Sequence, residues 1–348
     1  MRFAITADVH LKTYQETPER YHALTDIVRQ MSFSKIDNLV ICGDLFDKDC
    51  NNYSDFEKLT SFYKNISFLI LPGNHDTNIS SKSIVGKNIR IFKQPEIIEN
   101  TYKLLFVPYT PGKTMGEIIA SQVENLSPKN WVLFGHGDWS DGLKMINPTE
   151  PGIYMPLTRM DIDQYLPARI ILGHIHSPTD GTVIYPGSPC GTDITETGKR
   201  RFLVYDSTSN TVENHFVNTD LIFQDCSILV LPVEDEENFI KQQINKMIDS
   251  WKIQEEELPK TFLRVRAIGY SKDKSFLDEV LRREFARFSY YRGGSPDTCD
   301  VNVTVDNNLI KIAETVKAKI DALELISSAD EPDRDLILMH ALRLIFER

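Results

Sequence analysis

Five short clusters in the first half of the chain carry residue types that bind metals and move protons. They are ADVH (Asp8, His10), GDLFD (Asp44, Asp47), GNHD (Asn74, His75, Asp76), GHGD (His136, Asp138) and GHIH (His174, His176). Five of the eight histidines fall in them. One such cluster alone is a weak signal, since an isolated His is more often a hydrogen-bonded core or surface residue. Together they offer carboxylate, amide and imidazole donors in a set suited to two divalent first-row metals, hard enough for manganese and soft enough for iron or zinc. Two metals about 3.5 to 4 Å apart need a shared ligand, and a carboxylate with two oxygens can bridge where an imidazole with one free lone pair cannot. Asp44, preceded by Gly43 at a strand end, is the expected bridge. His174 and His176, two residues apart just past a strand, can face two neighbouring metals, and so can Asp8 and His10.

Such groups need a rigid support. The runs RFAITA, NLVIC, FLIL, LLFV, WVLF, RIIL and RFLVY read as short strands, most of them ending at turn formers or at one of the clusters. In PERYHALTDIVRQMSF, Leu24, Ile27, Val28 and Met31 recur at helical spacing, as a crossover helix over a sheet requires. The rhythm of strand, polar cluster and helical stretch predicts a layered α/β domain over residues 1–219, with functional groups at strand ends.

After that the pattern changes. CSILVLPV, EENFIKQQINKMIDSW, TFLRVRAIG, FLDEVLRREFARF and CDVNVTV read as strand, helix, strand, helix and strand, a small βαβαβ domain over residues 220–308. Residues 309–348 are expected to form two helices, separated by a loop with Pro332. The last helix, with Leu336, Ile337, Leu338, Met339, Leu342, Leu344, Ile345 and Phe346, is apolar round most of its circumference and must bury more than one face, on its own domain or on a partner.

A net charge of -11 argues against a basic protein that coats DNA. Local charge is different: residues 260–292 hold nine Lys and Arg against four acids. Arg264, Arg266, Arg282, Arg283, Arg287 and Arg292, beside Tyr290 and Tyr291, are candidates for phosphate contact, as are Lys199 and Arg200 in a second basic cluster. Their bland reading is solvated helix face and edge-strand solubility. Five scattered cysteines without a C-x-x-C pair fit a reducing compartment. With no secretory pattern and no apolar run of the ~20 residues that span a bilayer, the expected location is the cytoplasm, with no membrane partner.

In this order, D-x-H, GD, GNHD, GH and GHxH resemble the motifs of the calcineurin-like metallophosphoesterase superfamily. The resemblance spans residues 8 to 176 and implies a four-layer αββα sandwich with two metals. One would be held by Asp8, His10, Asp44 and His176, the other by Asp44, Asn74, His136 and His174. It further implies that His75 acts on the phosphate rather than as a ligand, with Asp76 holding its ring nitrogen. Within the superfamily, GDLFD, YPGSP (Tyr185 to Pro189) after GHIH, and the small second domain look most like the SbcD nucleases. That likeness implies manganese-dependent DNA cleavage, with 3'-to-5' exonuclease and single-strand endonuclease action in recombination and break repair. It also implies a dimer of nuclease subunits, a capping role for the second domain, and a coiled-coil ATPase of the SbcC type bound through the C-terminal helices. Archaeal and eukaryotic relatives carry a His where this chain has Asp47, and the chain is short beside the eukaryotic ones, which favours a phage or prokaryotic branch. If phage-encoded, the chain would act in the host cytoplasm. Two rival readings stand beside this one: a phosphomonoesterase or cyclic-nucleotide phosphodiesterase of the same superfamily, and a metal-free scaffold on the same fold.

Overall fold

The computed structural model describes residues 1–80, 82–140, 152–323 and 334–346, and the loop expected around Pro332 lies outside them. The chain divides into two compact units, Met1–Leu221 and Ile222–Arg348.

In the first unit the chain runs β1 (Arg2–Thr6), α1 (Pro18–Ser34), β2 (Asn38–Cys42), α2 (Ser54–Phe62), β3 (Ser67–Leu71) and β4 (Ile89–Ile91). It continues with β5 (Glu96–Ile98), β6 (Lys103–Val107), α3 (Met115–Gln122), β7 (Trp131–His136), β8 (Trp139–Ser140) and β9 (Leu157–Thr158). α4 (Arg159–Tyr165), β10 (Arg169–Gly173), β11 (Arg201–Asp206) and β12 (Thr211–Phe216) complete it. One sheet has the order β12-β11-β1-β2-β3-β4 and another β10-β7-β6-β5.

Alternation along the strands builds the layers. Ala4, Leu39, Ile41, Phe68 and Ile70 face a core shared with Leu24, Ile27 and Val28 of α1 and Phe56 of α2. Their neighbours Phe3, Ile5, Val40, Cys42, Leu69 and Leu71 face Leu104, Phe106, Val132, Phe134 and Ile171 of the other sheet. Leu105, Leu133, Ile170 and Leu172 then pack on Met115 and Ile119 of α3. Because successive side chains point to opposite faces, strands buried on both sides read as continuous apolar runs. The result is the four-layer αββα sandwich. All seven expected strands form. β4, β5, β8, β9 and β12 go beyond them: the first four are only two or three residues long, and β12 (TVENHF) is a largely exposed edge strand without an apolar run.

The second unit runs β13 (Ile222–Val230), α5 (Glu236–Ser250), β14 (Thr261–Ser271), α6 (Lys274–Glu284), β15 (Ser289–Tyr290), β16 (Val301–Val303), α7 (Asn307–Asp321) and α8 (Arg334–Phe346). β14 pairs in parallel with β13, β15 and β16, so helical crossovers return the chain to one sheet. One face packs on α5 and α6 through Ile240, Ile244, Leu277 and Leu281. The terminal helices cover Leu229, Leu231 and Tyr270 with Ala313, Ile320, Leu338 and Leu342. Leu336 and Leu344, at 55% and 77% exposure, stay outside that contact.

Candidate metal centre

Each cluster sits where a strand of the first unit ends: Asp8 and His10 after β1, Asp44 after β2, Asn74 and His75 after β3, His136 at the last position of β7, and His174 and His176 after β10. β1, β2 and β3 are parallel to one another, as are β7 and β10, so each group opens its loops at the carboxyl edge of its sheet. Backbone bonds lace the loops together, from Asp8 N to Gly43 O and from His10 N to Asp44 O. Asp8, His10, Asp44 and His174 take positive φ, a strained backbone that persists only where the surroundings overdetermine it. Gly173 is required by packing: a Cβ there would lie 1.8 Å from Cys42 O.

Asp44 is central. Its Oδ2 is 3.5 Å from His136 Nε2, 3.9 Å from His10 Nε2 and 4.0 Å from His75 Nε2, while Oδ1 accepts from His75 N at 2.8 Å. On one side of it, Asp8, His10 and His176 bring ligand atoms within 4.8 Å of one another, with His10 Nε2 and His176 Nε2 3.0 Å apart. On the other, Asn74 Oδ1 lies 2.8 Å from His136 Nε2 and 3.2 Å from His174 Nδ1. His136 Nδ1 faces Cys42 O at 2.9 Å, which turns Nε2 into the site. Asp8, Asp44, His136 and His174 are buried, whereas Asn74, His75 and His176 are half-buried at the rim.

The electrostatics favour a cation. Burial, then the Asp44 charge, pushes the Asp76 carboxyl up to about 7, and burial pushes Asp8 up to about 8. Burial and the neighbouring His176 hold His10 well below its ordinary value. Crowded carboxylates and facing imidazole nitrogens are mutually awkward without positive charge between them. As a donor set, carboxylate, amide and imidazole fit two divalent ions.

The calcineurin-like phosphoesterase pattern matches residues 1–190, more than half of the chain. The chain belongs to the calcineurin-like phosphoesterase family. Membership implies a metal-dependent hydrolase, and the family uses divalent metals. Solved structures similar to it include TT1561 of Thermus thermophilus, at 12% identity over 62% of this chain and 99% of that one, TM-score 0.40. A dimetal phosphatase from Danio rerio matches at 12% over 59% and 91%, TM-score 0.35. A nuclease, MPE of Pseudomonas putida, matches at 20% over 32% and 56%, TM-score 0.24. No curated protein matches the chain significantly.

In this phosphoesterase two sequence expectations need correction. Asp76 was expected to hold the His75 ring, but its oxygens accept from Gly73 N at 2.6 Å and Phe46 N at 3.1 Å, tying the GNHD loop to the GDLFD loop. The His75 ring is met instead by Asp47, with Oδ1 3.4 Å from Nδ1. That contact is the largest cause holding the Asp47 carboxyl well below its usual range. Arg200 was expected among DNA contacts, but it is 1% exposed, and its guanidinium bonds Ser188 and the His176 carbonyl. A guanidinium this deeply enclosed cannot reach a phosphate.

Other expected phosphate contacts carry acidic partners: Arg264 and Arg266 share Asp225, Arg282 bonds Asp278, and Arg283 bonds Glu237 and Glu284. Arg287 and Arg292 lie over the rings of Phe288 and Tyr291, and Lys199 over Phe216. Residues missed in sequence include Lys12 and Arg20, 3.7 and 3.9 Å from Asp47 Oδ2, and Glu196, 2.8 Å from His176 Nδ1. Asp47 had a signal, as the second acid of GDLFD, while Lys12, Arg20 and Glu196 had none. Among the described residues no helix is long and apolar enough to cross a membrane.

Proposed function

We propose that this chain is a DNA nuclease subunit of the SbcD type, a phosphodiesterase with two divalent ions, manganese in the working enzyme. The observation that carries the reading is the convergence of Asp8, His10, Asn74, His136, His174 and His176 around Asp44, with His75 at the rim. Asp8, His10, Asp44 and His176 would hold one ion and Asp44, Asn74, His136 and His174 the other. Bound there, the pair supplies positive charge against the phosphate oxygens and lowers the pKa of water.

The chain's own groups then orient and transfer protons. With Nδ1 turned to Asp47, His75 presents Nε2, 4.0 Å from Asp44 Oδ2, to the phosphate and can protonate the departing oxygen. The His75 contact itself holds the Asp47 carboxyl well below its usual range, and Lys12 and Arg20 face the other oxygen, so the carboxylate can hold the ring in orientation while it changes charge. DNA is favoured over a small ester by the basic stretch of the second unit, where ring-backed Arg287 and Arg292 suit backbone phosphates. Exposed Ile312, Leu336 and Leu344 on the terminal helices suit docking of an SbcC-type ATPase, and the dimeric, cytoplasmic assembly follows from the same reading.

The test is digestion of an end-labelled linear duplex with manganese, with magnesium and with EDTA, at stated salt, comparing wild type with His75→Ala and Asp44→Ala. Manganese-dependent loss of label that both substitutions abolish supports the nuclease. Hydrolysis of small phosphate esters alone would move the reading to a phosphomonoesterase or cyclic-nucleotide phosphodiesterase, and failure to take up metal would move it to a scaffold.

A further inference from the structure

The YPGSP turn and the segment after it build a buried polar cradle behind the metal centre. His176 Nδ1 lies 2.8 Å from Glu196 Oε1. Glu196 Oε2 accepts from Ser188 Oγ at 2.6 Å and from Thr192 N at 3.1 Å, and the Thr192 hydroxyl donates to Oε1. Behind it, Arg200 donates from Nε to Ser188 O at 2.8 Å and from Nη2 to Ser188 Oγ at 2.9 Å and to the His176 carbonyl. Ser188, Glu196 and Arg200 are 0%, 3% and 1% exposed. Gly187 allows the approach: its φ is +76°, and a Cβ there would lie 2.6 Å from His176 O.

We propose that Glu196, braced by Ser188, Thr192 and Arg200, is a positioning residue that holds His176 as the Nδ1–H tautomer and aims Nε2 at the ion shared with Asp8 and His10. An ionised carboxylate only accepts, so the ring nitrogen facing it carries the hydrogen and the lone pair is left on the other. Such a partner fixes the ring's rotation and raises its basicity as a ligand. Arg200 stands 3.9 Å from Glu196 Oε2 and bonds the carbonyls of His176 and Ser188, so it fastens the GHIH loop to the YPGSP turn. The inference rests on the metal centre proposed above.

Titration of the metal-free wild type and Glu196→Gln with Mn(II), followed by calorimetry, tests it. Wild type is expected to bind two ions, and the variant to lose about 10- to 100-fold in affinity for one of them while the other is unchanged. A role confined to packing would lower the melting temperature of the metal-free variant and leave both affinities at wild-type values, which overturns the proposal. A wild type that binds no ion overturns instead the metal-centre reading beneath it. Nitrogen-15 NMR of the Zn(II)-loaded wild type reads the tautomer without any variant. His176 protonated at Nδ1 is expected, and protonation at Nε2 overturns the proposal even where Glu196→Gln does not fold.

Discussion

Asp47 Oδ1 lies 3.4 Å from His75 Nδ1, while the other oxygen of the same carboxylate faces Lys12 at 3.7 Å and Arg20 at 3.9 Å. One acid thus orients the rim histidine through one oxygen and faces two cations with the other, an arrangement suited to a general acid that must hold one geometry through a change of charge.

Asp47→Asn keeps the size of the side chain and removes the charge. It is expected to lower kcat by about 10- to 100-fold with KM and bound metal nearly unchanged, since the loss falls on proton transfer. Steady-state kinetics with metal analysis on the same samples check this, and a variant with wild-type kcat would remove Asp47 from the chemistry.

Asp76 should make the metal-free protein lose stability as pH rises. Burial first, then Asp44, raises the folded-state value of Asp76 from 3.8 to about 7, so between those values the folded chain holds more protons than the unfolded chain. Its contribution is therefore fully present below pH ~4 and lost as pH rises through ~7. Thermal melts in EDTA from pH 4.5 to 8 should show the wild-type midpoint falling relative to that of Asp76→Asn as pH rises. A slope identical in the variant would assign the effect elsewhere.

Gly43 has φ +88°, and a Cβ on it would lie 2.0 Å from His136 Nδ1. Gly43→Ala combines backbone strain with displacement of a proposed ligand, and should cost more than ~2 kcal/mol in urea unfolding and reduce metal uptake. Gly112, with φ +73° and nothing within 4 Å of the built Cβ, is the control: Gly112→Ala carries the strain alone and should leave metal uptake intact.

Leu342 is 0% exposed and Leu344 77% exposed on the same terminal helix. Leu342→Ala should cost about 2–5 kcal/mol, as deletion of a packed core side chain does, and Leu344→Ala no more than about 0.5 kcal/mol. Chemical denaturation of both variants measures the difference. Equal effects would contradict the packing of α8 on its own unit.

Much of this protein could be read along the chain. Uninterrupted apolar runs such as NLVIC and WVLF belong to strands buried on both faces, and polar clusters directly after them fall at the carboxyl edges of parallel sheets, so the element order and the set of candidate ligands follow from local pattern. Charge roles did not follow, because a residue's charge says nothing of its partner. Arg200 reads as surface in KRR but is enclosed with Ser188 and Glu196, and Arg264 meets Asp225 39 residues away. Asp76 adjoins His75 in sequence, yet backbone amides take up its oxygens and Asp47, 28 residues from His75, reaches the ring. Residue type and period determined which groups could do chemistry, and folding decided which of them meet, because pairing depends on distances that close only when separate loops converge.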